Sequence, residues 1–262
     1  MPKIEPPSLS EHIFKTYGSL RIGIGILAIA LPIILAGIGF FKYGLILQDS
    51  ISAYYHAFVA TREFPDPFAV AGHGVMRNWF VGILWAIGFF LILYRGYGRR
   101  ENTALNIAGI LLITVAMFPM DWACGETCPK VSVHGVAAII FFVSIGYVCI
   151  FRSGDTLELV RNPSDRQAYM RWYRRIGFVM WSFPLVVALL EFFKLHPFGS
   201  RTIFFIEVAG IWAFAAYWLI KSREVARTNA DLAIASGNLV RPPRKSGAVE
   251  YWLDTAPLSK AE

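Results

Sequence analysis

The sequence predicts an all-α polytopic membrane protein, a helix bundle with six transmembrane helices. Of its 262 residues, 56% are hydrophobic and 16% are charged, whereas soluble domains carry about 25% charged residues. The mean hydropathy is +0.50, and the apolar residues form continuous runs, unlike the alternating pattern of membrane β-strands. This composition excludes a soluble globular enzyme and a disordered chain, and three cysteines are too few for a disulfide scaffold.

Each predicted helix is an apolar run long enough, or nearly so, to cross a hydrocarbon core of about 30 Å, which takes about 20 helical residues. The first four runs contain no charged residue, and the last two contain Glu191 and Glu207. In chain order, the predicted transmembrane helices are residues 22–41, 78–94, 102–120, 131–151, 176–193 and 202–220.

We expect the first run to stay in the protein as a helix and not to be removed as a secretory signal. The tripeptide AIA at 28–30 resembles a cleavage site, but mixed charges precede the run and it continues well beyond that tripeptide. Pro32 lies in its middle and predicts a kink, because proline removes a backbone donor. Membrane helices tolerate such kinks when neighbouring groups satisfy the freed carbonyl.

The distribution of positive charge predicts the orientation, because cytoplasmic loops collect lysine and arginine. With the amino terminus inside, 19 of the 25 lysines and arginines lie on the cytoplasmic side. We therefore expect a protein of the bacterial inner membrane with both termini in the cytoplasm. Its predicted parts are a cytoplasmic segment 1–21, a transmembrane domain 22–220 with an outer loop 42–77, and a cytoplasmic tail 221–262 that is weakly ordered at its end.

The net charge of +7 fits this topology, since anionic lipids of the cytoplasmic leaflet attract positive segments. We expect membrane lipids as partners and no nucleic acid, and the sequence predicts no particular protein partner. The loop 152–175 is charged, and we expect it to be partly helical.

Function is expected on the outer side, because ionisable and metal-binding side chains are costly in a membrane and tend to mark sites there. These side chains are concentrated in the outer loops and at the outer helix ends, whereas the inner half of the bundle is expected to offer only arginines. The outer set comprises Asp49, Ser52, His56, Asp66, His73, Asp121, Cys124, Glu126, Cys128, His134, Glu191, His196 and Glu207.

The densest polar stretch is DSISAYYHAF, which begins at Asp49. If it is helical, Ser52 and His56 are four residues apart and share a face, so a hydroxyl and an imidazole converge on one ligand. Asp49 and Tyr55 would then complete a ligand-binding site. The alternative is an interfacial aromatic belt, in which Tyr54 and Tyr55 anchor the chain at the lipid headgroups.

A zinc site is a second interpretation of the outer histidines. His56, His73 and His134 supply three candidate ligands, and Asp121 supplies a carboxylate that takes a proton from a zinc-bound water. The sequence contains neither HExxH nor HxxxH. The alternative is that the histidines are scattered along a wet membrane face.

The spacing Ser-x-x-x-His at Ser52 and His56, with Asp121 at a later helix end, resembles parts of the motif set of the alkaline ceramidase and adiponectin-receptor superfamily. That resemblance implies a zinc site and hydrolysis of a lipid amide, with Ser52 and Asp121 among the catalytic groups. The chain lacks the late HxxxH pair of that superfamily and has six predicted helices instead of seven. A longer stretch, residues 50 to about 120, is similar to bacterial multi-pass membrane proteins of unknown function and implies no activity.

Two further features have alternative interpretations. Cys124 and Cys128 lie in one short outer loop, which predicts a disulfide in an oxidising periplasm and, as an alternative, a thiolate metal site. Glu207 lies deeper than Glu191 and is expected to pair with cations of the hairpin before it or to lie in the headgroup layer. A proton-coupled carrier would use such a residue, but AGIWAFAAYWL, which follows it, has no polar position.

Three functions follow as hypotheses. The first is an outer polar pocket, with Tyr55, Asp49 and Glu207 among its residues, that binds a lipid, a small ligand or a partner protein. The second is a zinc-dependent membrane hydrolase that cleaves a lipid amide or ester at the outer leaflet. The third is a transporter.

Overall fold

The computed structural model describes residues 9–57, 59–60, 70–71, 74–121, 131–193, 195, 197–229 and 231. The described α-helices are α1 (Leu9–Pro32), α2 (Gly39–Tyr43), α3 (Val75–Leu93), α4 (Arg99–Met117), α5 (Val133–Tyr147), α6 (Pro163–Phe192) and α7 (Thr202–Thr228). The prediction of an all-α membrane helix bundle is confirmed.

Shorter elements join these helices. A π-helical segment, Ile33–Ile38, connects α1 to α2, and another, Val148–Arg152, extends α5. The 3₁₀ helices are Ser52–Tyr55 and Ser153–Leu159. Three short strands are β1 (Val59–Ala60), β2 (Val70–Ala71) and β3 (Pro197–Ser200), of which β1 and β2 pair antiparallel.

Five described helical segments are long and apolar enough to cross a membrane, and the protein is therefore a multi-pass membrane protein by length and composition. They are His12–Tyr43, Val75–Leu93, Val133–Leu159, Pro163–Leu190 and Gly199–Thr228. The sixth long helix, α4, has charged residues in its first turn and asparagines beyond it, which lower its mean hydropathy. It nevertheless packs between α3 and α5. Its first turn binds the backbone of Tyr97, in the connection from α3, and its last turn binds His134 at the start of α5.

The six long helices form a closed ring. Each packs against its neighbour in the chain, in the order α1, α3, α4, α5, α6 and α7, and α7 packs back against α1. Large apolar side chains such as Ile110, Phe178 and Leu185 remain exposed on the outside of the ring, where a membrane would cover them. An even number of passes places the start of α1 and the end of α7 at the same end of the bundle.

Glycines allow the closest approach between helices, at the crossing of α3 and α4. A Cβ built on Gly109 would lie 2.6 Å from the backbone oxygen of Gly88, and one built on Gly88 would lie 2.9 Å from the oxygen of Gly109. Only glycine fits at both positions. Such small-residue contacts are typical of membrane helix pairs, which associate through close packing.

The helix boundaries differ from the predicted ones in a consistent way. The first helix begins at Leu9 instead of residue 22, the fifth begins at Pro163 instead of residue 176, and the last continues to Thr228. A hydropathy window detects only the apolar part of a helix, so the charged turns beyond the membrane were missed. The expectation that residues 152–175 are partly helical is confirmed.

The region around Pro32 shows how the chain accommodates a proline within a membrane helix. The α-helix ends at Pro32, and a π-helical segment begins at the next residue. The bond that Pro32 cannot make is with the carbonyl of Ala28, within α1, and the helical path continues through the π-helical segment into α2.

Candidate functional site

The two ends of the bundle carry different segments of the chain. The loop end carries residues 44–57 and the described parts of the connections from α4 to α5 and from α6 to α7. The terminus end carries the start of α1, the connection from α3 to α4 and the end of α7. Ser52, His56, Asp121, His134 and Glu207 all lie at the loop end, as the topological argument expected.

A central cavity of about 390 Å³ lies in the bundle towards the loop end. All six long helices contribute to its apolar wall, with Leu31, Phe80, Leu112, Phe142, Pro184 and Ile211 as one example from each. Three polar side chains also line it: Ser52, His134 and Glu207. A predominantly apolar cavity with a few convergent polar groups is the usual form of a small-molecule site.

His134 is the polar residue whose orientation is most fully determined. It is the second residue of α5, just after the N-cap Ser132, whose hydroxyl accepts a hydrogen bond from the Gly135 amide at 3.0 Å. Only 8% of His134 is exposed. Its Nδ1 lies 3.1 Å from the carbonyl oxygen of Val115 and 2.9 Å from that of Phe118.

The end of α4 explains why those carbonyls are available. In an α-helix the Val115 carbonyl would accept from the amide four residues later, but residue 119 is proline and has no N–H. Phe118 lies just beyond the last turn of α4, where carbonyls lack intrahelical partners. Carbonyl oxygens only accept, so the hydrogen of neutral His134 is on Nδ1, and Nε2 is left as an acceptor.

Ser52 lies opposite that acceptor. The distance between His134 Nε2 and Ser52 Oγ is 2.9 Å, and with Nδ1 protonated the hydroxyl donates to Nε2. The two residues are 82 positions apart in the sequence, and the packing of the 3₁₀ helix beside α5 brings them together. A serine hydroxyl that donates to a neutral imidazole has the arrangement of a nucleophile and its base.

Glu207 and Ser50 hold the short 3₁₀ helix that carries Ser52. The Glu207 carboxylate, on α7, accepts hydrogen bonds from the backbone amides of Ile51 and Ser52. The Ser50 hydroxyl accepts from the amide of Ala53 at 2.9 Å. These bonds satisfy the first amides of the helix, which otherwise lack partners. The Glu207 carboxylate therefore binds this turn. Lys194 and His196 of the hairpin lie outside the described residues, so the expected pairing with hairpin cations and the position in the headgroup layer remain predictions.

His56 does not lie on the same face of this segment as Ser52. The segment is a 3₁₀ helix with three residues per turn, so residues four apart do not share a face as they would in an α-helix. The His56 Nε2–H donates to the carbonyl oxygen of Met120 at 2.9 Å, and its ring lies edge-on to Tyr55 with centroids 5.0 Å apart. Tyr55 also lies beneath the guanidinium of Arg77, at 5.5 Å.

The other predicted site residues that the structure describes do not line the cavity. Asp121 and Asp49 are exposed, and the backbone oxygen of Asp49 accepts from the Phe204 amide at 2.9 Å. His73, Cys124 and Cys128 lie outside the described residues, so the disulfide remains a prediction. Within the part of the chain that the structure describes, no group of three metal-capable side chains is present, and the zinc site that includes His73 also remains a prediction.

The terminus end contains a buried polar cluster that the sequence analysis missed. One part joins Arg21 of α1 to Asp231, just beyond α7, at 2.7 Å, and the Tyr97 hydroxyl donates to the same carboxylate at 2.7 Å. Burial raises the pKa of Tyr97 well above its usual range, which keeps this hydroxyl protonated as a donor. The expectation that this half of the bundle offers only arginines is therefore wrong.

The second part of that cluster surrounds Lys221 and Glu224 on α7. The ammonium group lies 2.9 Å from the Glu224 carboxylate and donates to the carbonyl of Ser153 at 3.1 Å. Hydroxyls of Thr156 and Tyr173 donate to the same carboxylate, each at 2.6 Å. Each charge in this pair has an opposite charge and further hydrogen bonds, which is what burial requires. The i, i+3 spacing of Lys221 and Glu224 was visible in the sequence, but their position beyond the predicted helix suggested solvated charges.

Comparison with known proteins assigns no family. No family model, no curated protein and no solved structure matches the chain. The class is therefore defined by the fold and the site alone, as a multi-pass helical membrane protein with a central cavity lined by apolar side chains and three polar ones.

Proposed function

We propose that the protein binds a membrane lipid in its central cavity. The observation that carries the proposal is the composition of the cavity wall. Six helices present apolar side chains to a space of about 390 Å³, and Ser52, His134 and Glu207 are the polar side chains that line it. An acyl chain would contact the apolar wall, and the polar part of the lipid would lie beside the three polar groups.

The chemistry of those groups favours a lipid with a hydrogen-bonding linkage near its chain. Glu207 is an acceptor and favours a hydroxyl or amide N–H, while the Ser52 hydroxyl and the His134 imidazole contact an ester or amide carbonyl group. These groups already have partners within the protein, so a polar ligand group would add hydrogen bonds through the remaining lone pairs of Glu207 and Ser52. The proposed ligand is therefore a lipid ester or amide.

The orientation of the protein in the membrane determines which leaflet supplies the lipid. Lysine and arginine are concentrated towards the terminus end, with Arg95 in the connection from α3 to α4 and Arg99 and Arg100 in the first turn of α4. The positive-inside rule favours a cytoplasmic position for this end. We propose that the protein lies in a bacterial inner membrane with both termini inside. The cavity then lies towards the outer leaflet.

Capture of a photoreactive lipid tests the binding. Full-length protein in detergent is irradiated with a phospholipid whose acyl chain carries a diazirine, and the modified peptides are mapped by mass spectrometry. Ala138→Trp places a large side chain in the cavity and is expected to abolish capture. The matched control, Ile140→Trp on the same helix, changes a side chain that is 41% exposed outside the cavity and should leave capture unchanged.

Equal capture by the two variants would contradict the proposal, as would modified peptides that map only to the outside of the ring. Both variants are first compared with the unaltered protein by size-exclusion elution and thermal unfolding. A cavity variant that elutes and melts normally but no longer captures the lipid shows that the cavity, and not the fold, was changed.

A further inference from the structure

We infer that Ser52 and His134 form a catalytic dyad that cleaves a lipid ester, with Ser52 as nucleophile and His134 as general base. The inference rests on the proposed lipid-binding function, because it assigns a reaction to a lipid held in the same cavity. It differs from the zinc-dependent hydrolysis that the sequence suggested, since it uses no metal. Three features of the site support it.

The first feature is the tautomer of the base. Two carbonyl oxygens, of Val115 and Phe118, accept from His134 Nδ1, so Nε2 of the neutral ring has a lone pair directed at Ser52. In serine hydrolases a carboxylate or a carbonyl at the far nitrogen of the histidine performs the same task of orienting the ring. Here two backbone carbonyls at the end of α4 perform it.

The second feature is the rigid support of the nucleophile. Ser52 is the first residue of a 3₁₀ helix whose amides are bound by Glu207 and Ser50. The carboxylate belongs to α7 and the imidazole to α5, so two long helices determine where the Ser52 hydroxyl lies. A nucleophile needs such support, because small displacements of the reacting groups cost large factors in rate.

The third feature is the location of the pair. Ser52, His134 and Gly135 all line the apolar cavity, so a bound acyl chain would place its ester next to the hydroxyl. Gly135 belongs to the first turn of α5, and the amino-terminal end of a helix carries a partial positive charge. That charge stabilises the oxyanion that develops on the ester carbonyl.

The reaction proceeds in two balanced steps. Ser52 Oγ attacks the ester carbonyl carbon as its proton passes to His134 Nε2, and the carbonyl oxygen becomes an oxyanion. Collapse of this intermediate breaks the bond to the alcohol oxygen, which takes the proton from Nε2, and leaves an acyl group on Ser52. Water then attacks the acyl-serine, gives its proton to Nε2, and releases a fatty acid while Ser52 recovers its proton.

An alkyl fluorophosphonate probe tests the dyad directly. The probe forms a bond between phosphorus and an activated serine oxygen and loses fluoride, so labelling reports the nucleophile itself. In full-length protein we expect one labelled residue, Ser52, identified by peptide mass spectrometry. Ser52→Ala should abolish labelling, His134→Gln should slow it at least 100-fold, and Ser182→Ala, which removes an exposed hydroxyl on α6, should have no effect.

Two further measurements separate this inference from the binding proposal. Ser52→Ala should elute and melt like the unaltered protein, which shows that the loss of labelling comes from the missing nucleophile and not from a change of fold. Labelling should persist in the presence of a metal chelator, and its loss would overturn the metal-free dyad. If the unaltered protein captures the lipid but is not labelled by the probe, the catalytic inference is wrong and the binding proposal stands; if it does neither, both are wrong.

Discussion

At the loop end, single side chains stabilise the fold through hydrogen bonds that no neighbouring group or solvent can replace. Glu207 illustrates this, because it is a carboxylate within a transmembrane helix that binds the backbone of a distant turn. In an apolar surrounding the amides of Ile51 and Ser52 have no solvent to replace the lost acceptor. The side chain therefore stabilises the turn that carries Ser52, whatever reaction that turn supports.

Replacement of this carboxylate should lower stability. In Glu207→Ala the amides of Ile51 and Ser52 lose their acceptor, which should cost about 1–3 kcal/mol, measured as a lower Tm in detergent. Glu207→Gln keeps an acceptor oxygen in the same place and should lose less. Equal Tm values for the alanine variant and the unaltered protein would contradict this role.

The ion pair of Lys221 and Glu224 at the terminus end should also stabilise the fold. The side chains of Lys221 and Glu224 are 1% and 0% exposed. Lys221→Met leaves a buried carboxylate without its cation and should cost about 3–5 kcal/mol, whereas the double variant Lys221→Met, Glu224→Gln removes both charges and should recover much of that loss. Thermal unfolding of the two single variants and the double variant measures the coupling. Additive losses would show that the pair does not interact.

At the scale of elements, the close contact between α3 and α4 determines how the ring is built. Gly88 and Gly109 let the backbones of α3 and α4 approach each other closely. The last turn of α4 then lies beside the start of α5. The position of the Val115 and Phe118 carbonyls, and with it the orientation of His134, depends on this packing. A change at the crossing should therefore affect the whole bundle.

Two alanine substitutions on α3 test this contact against a matched control. A Cβ at Gly88 would lie 2.8 Å from Ile113 and 2.9 Å from a backbone oxygen, whereas a Cβ at Gly82 meets nothing within 4 Å. Gly88→Ala should cost about 1–3 kcal/mol by overpacking, while Gly82→Ala should be neutral or slightly stabilising, because alanine favours the helix. Thermal unfolding of both variants checks the difference. If Gly82→Ala is the more damaging of the two, the close approach does not determine the packing.

The whole molecule is organised by the closed ring of six helices. Because the number of long helices is even, α1 begins and α7 ends on the same side of the bundle. There Arg21 of α1 binds Asp231, which is 210 residues away in the sequence. The cavity exists only when all six helices are in place, since each contributes to its wall.

The orientation in the membrane is tested on intact cells. A green fluorescent protein fused to the carboxyl terminus should fluoresce, because that end is expected in the cytoplasm. A cysteine introduced at the exposed position of Asp49, as Asp49→Cys, should react with a membrane-impermeant maleimide in spheroplasts. A dark carboxyl-terminal fusion that becomes active as an alkaline phosphatase fusion would reverse the assignment.

Several features followed from the sequence because they depend on composition and local spacing. Apolar runs identify membrane helices wherever they occur. The free-energy cost of exposing apolar surface to water, or of burying a charge in the membrane, does not depend on which helix the run packs against. The same reasoning predicted that polar side chains lie mainly at one end of the bundle. Ser52, His134 and Glu207 are in that predicted set. The sequence also predicted a kink at Pro32, and the α-helical segment ends at that residue.

Only the tertiary structure decided which of these side chains meet. Local spacing paired Ser52 with His56, whereas the packing of α5 beside the 3₁₀ helix paired it with His134, and α7 brought Glu207 to the same turn. The buried cluster of Lys221 and Glu224 was also missed, because a charge beyond an apolar run looks solvated until a neighbouring helix covers it. Helical periodicity specifies the face on which a residue lies, but contacts between helices depend on the packing of surfaces that are distant in the sequence.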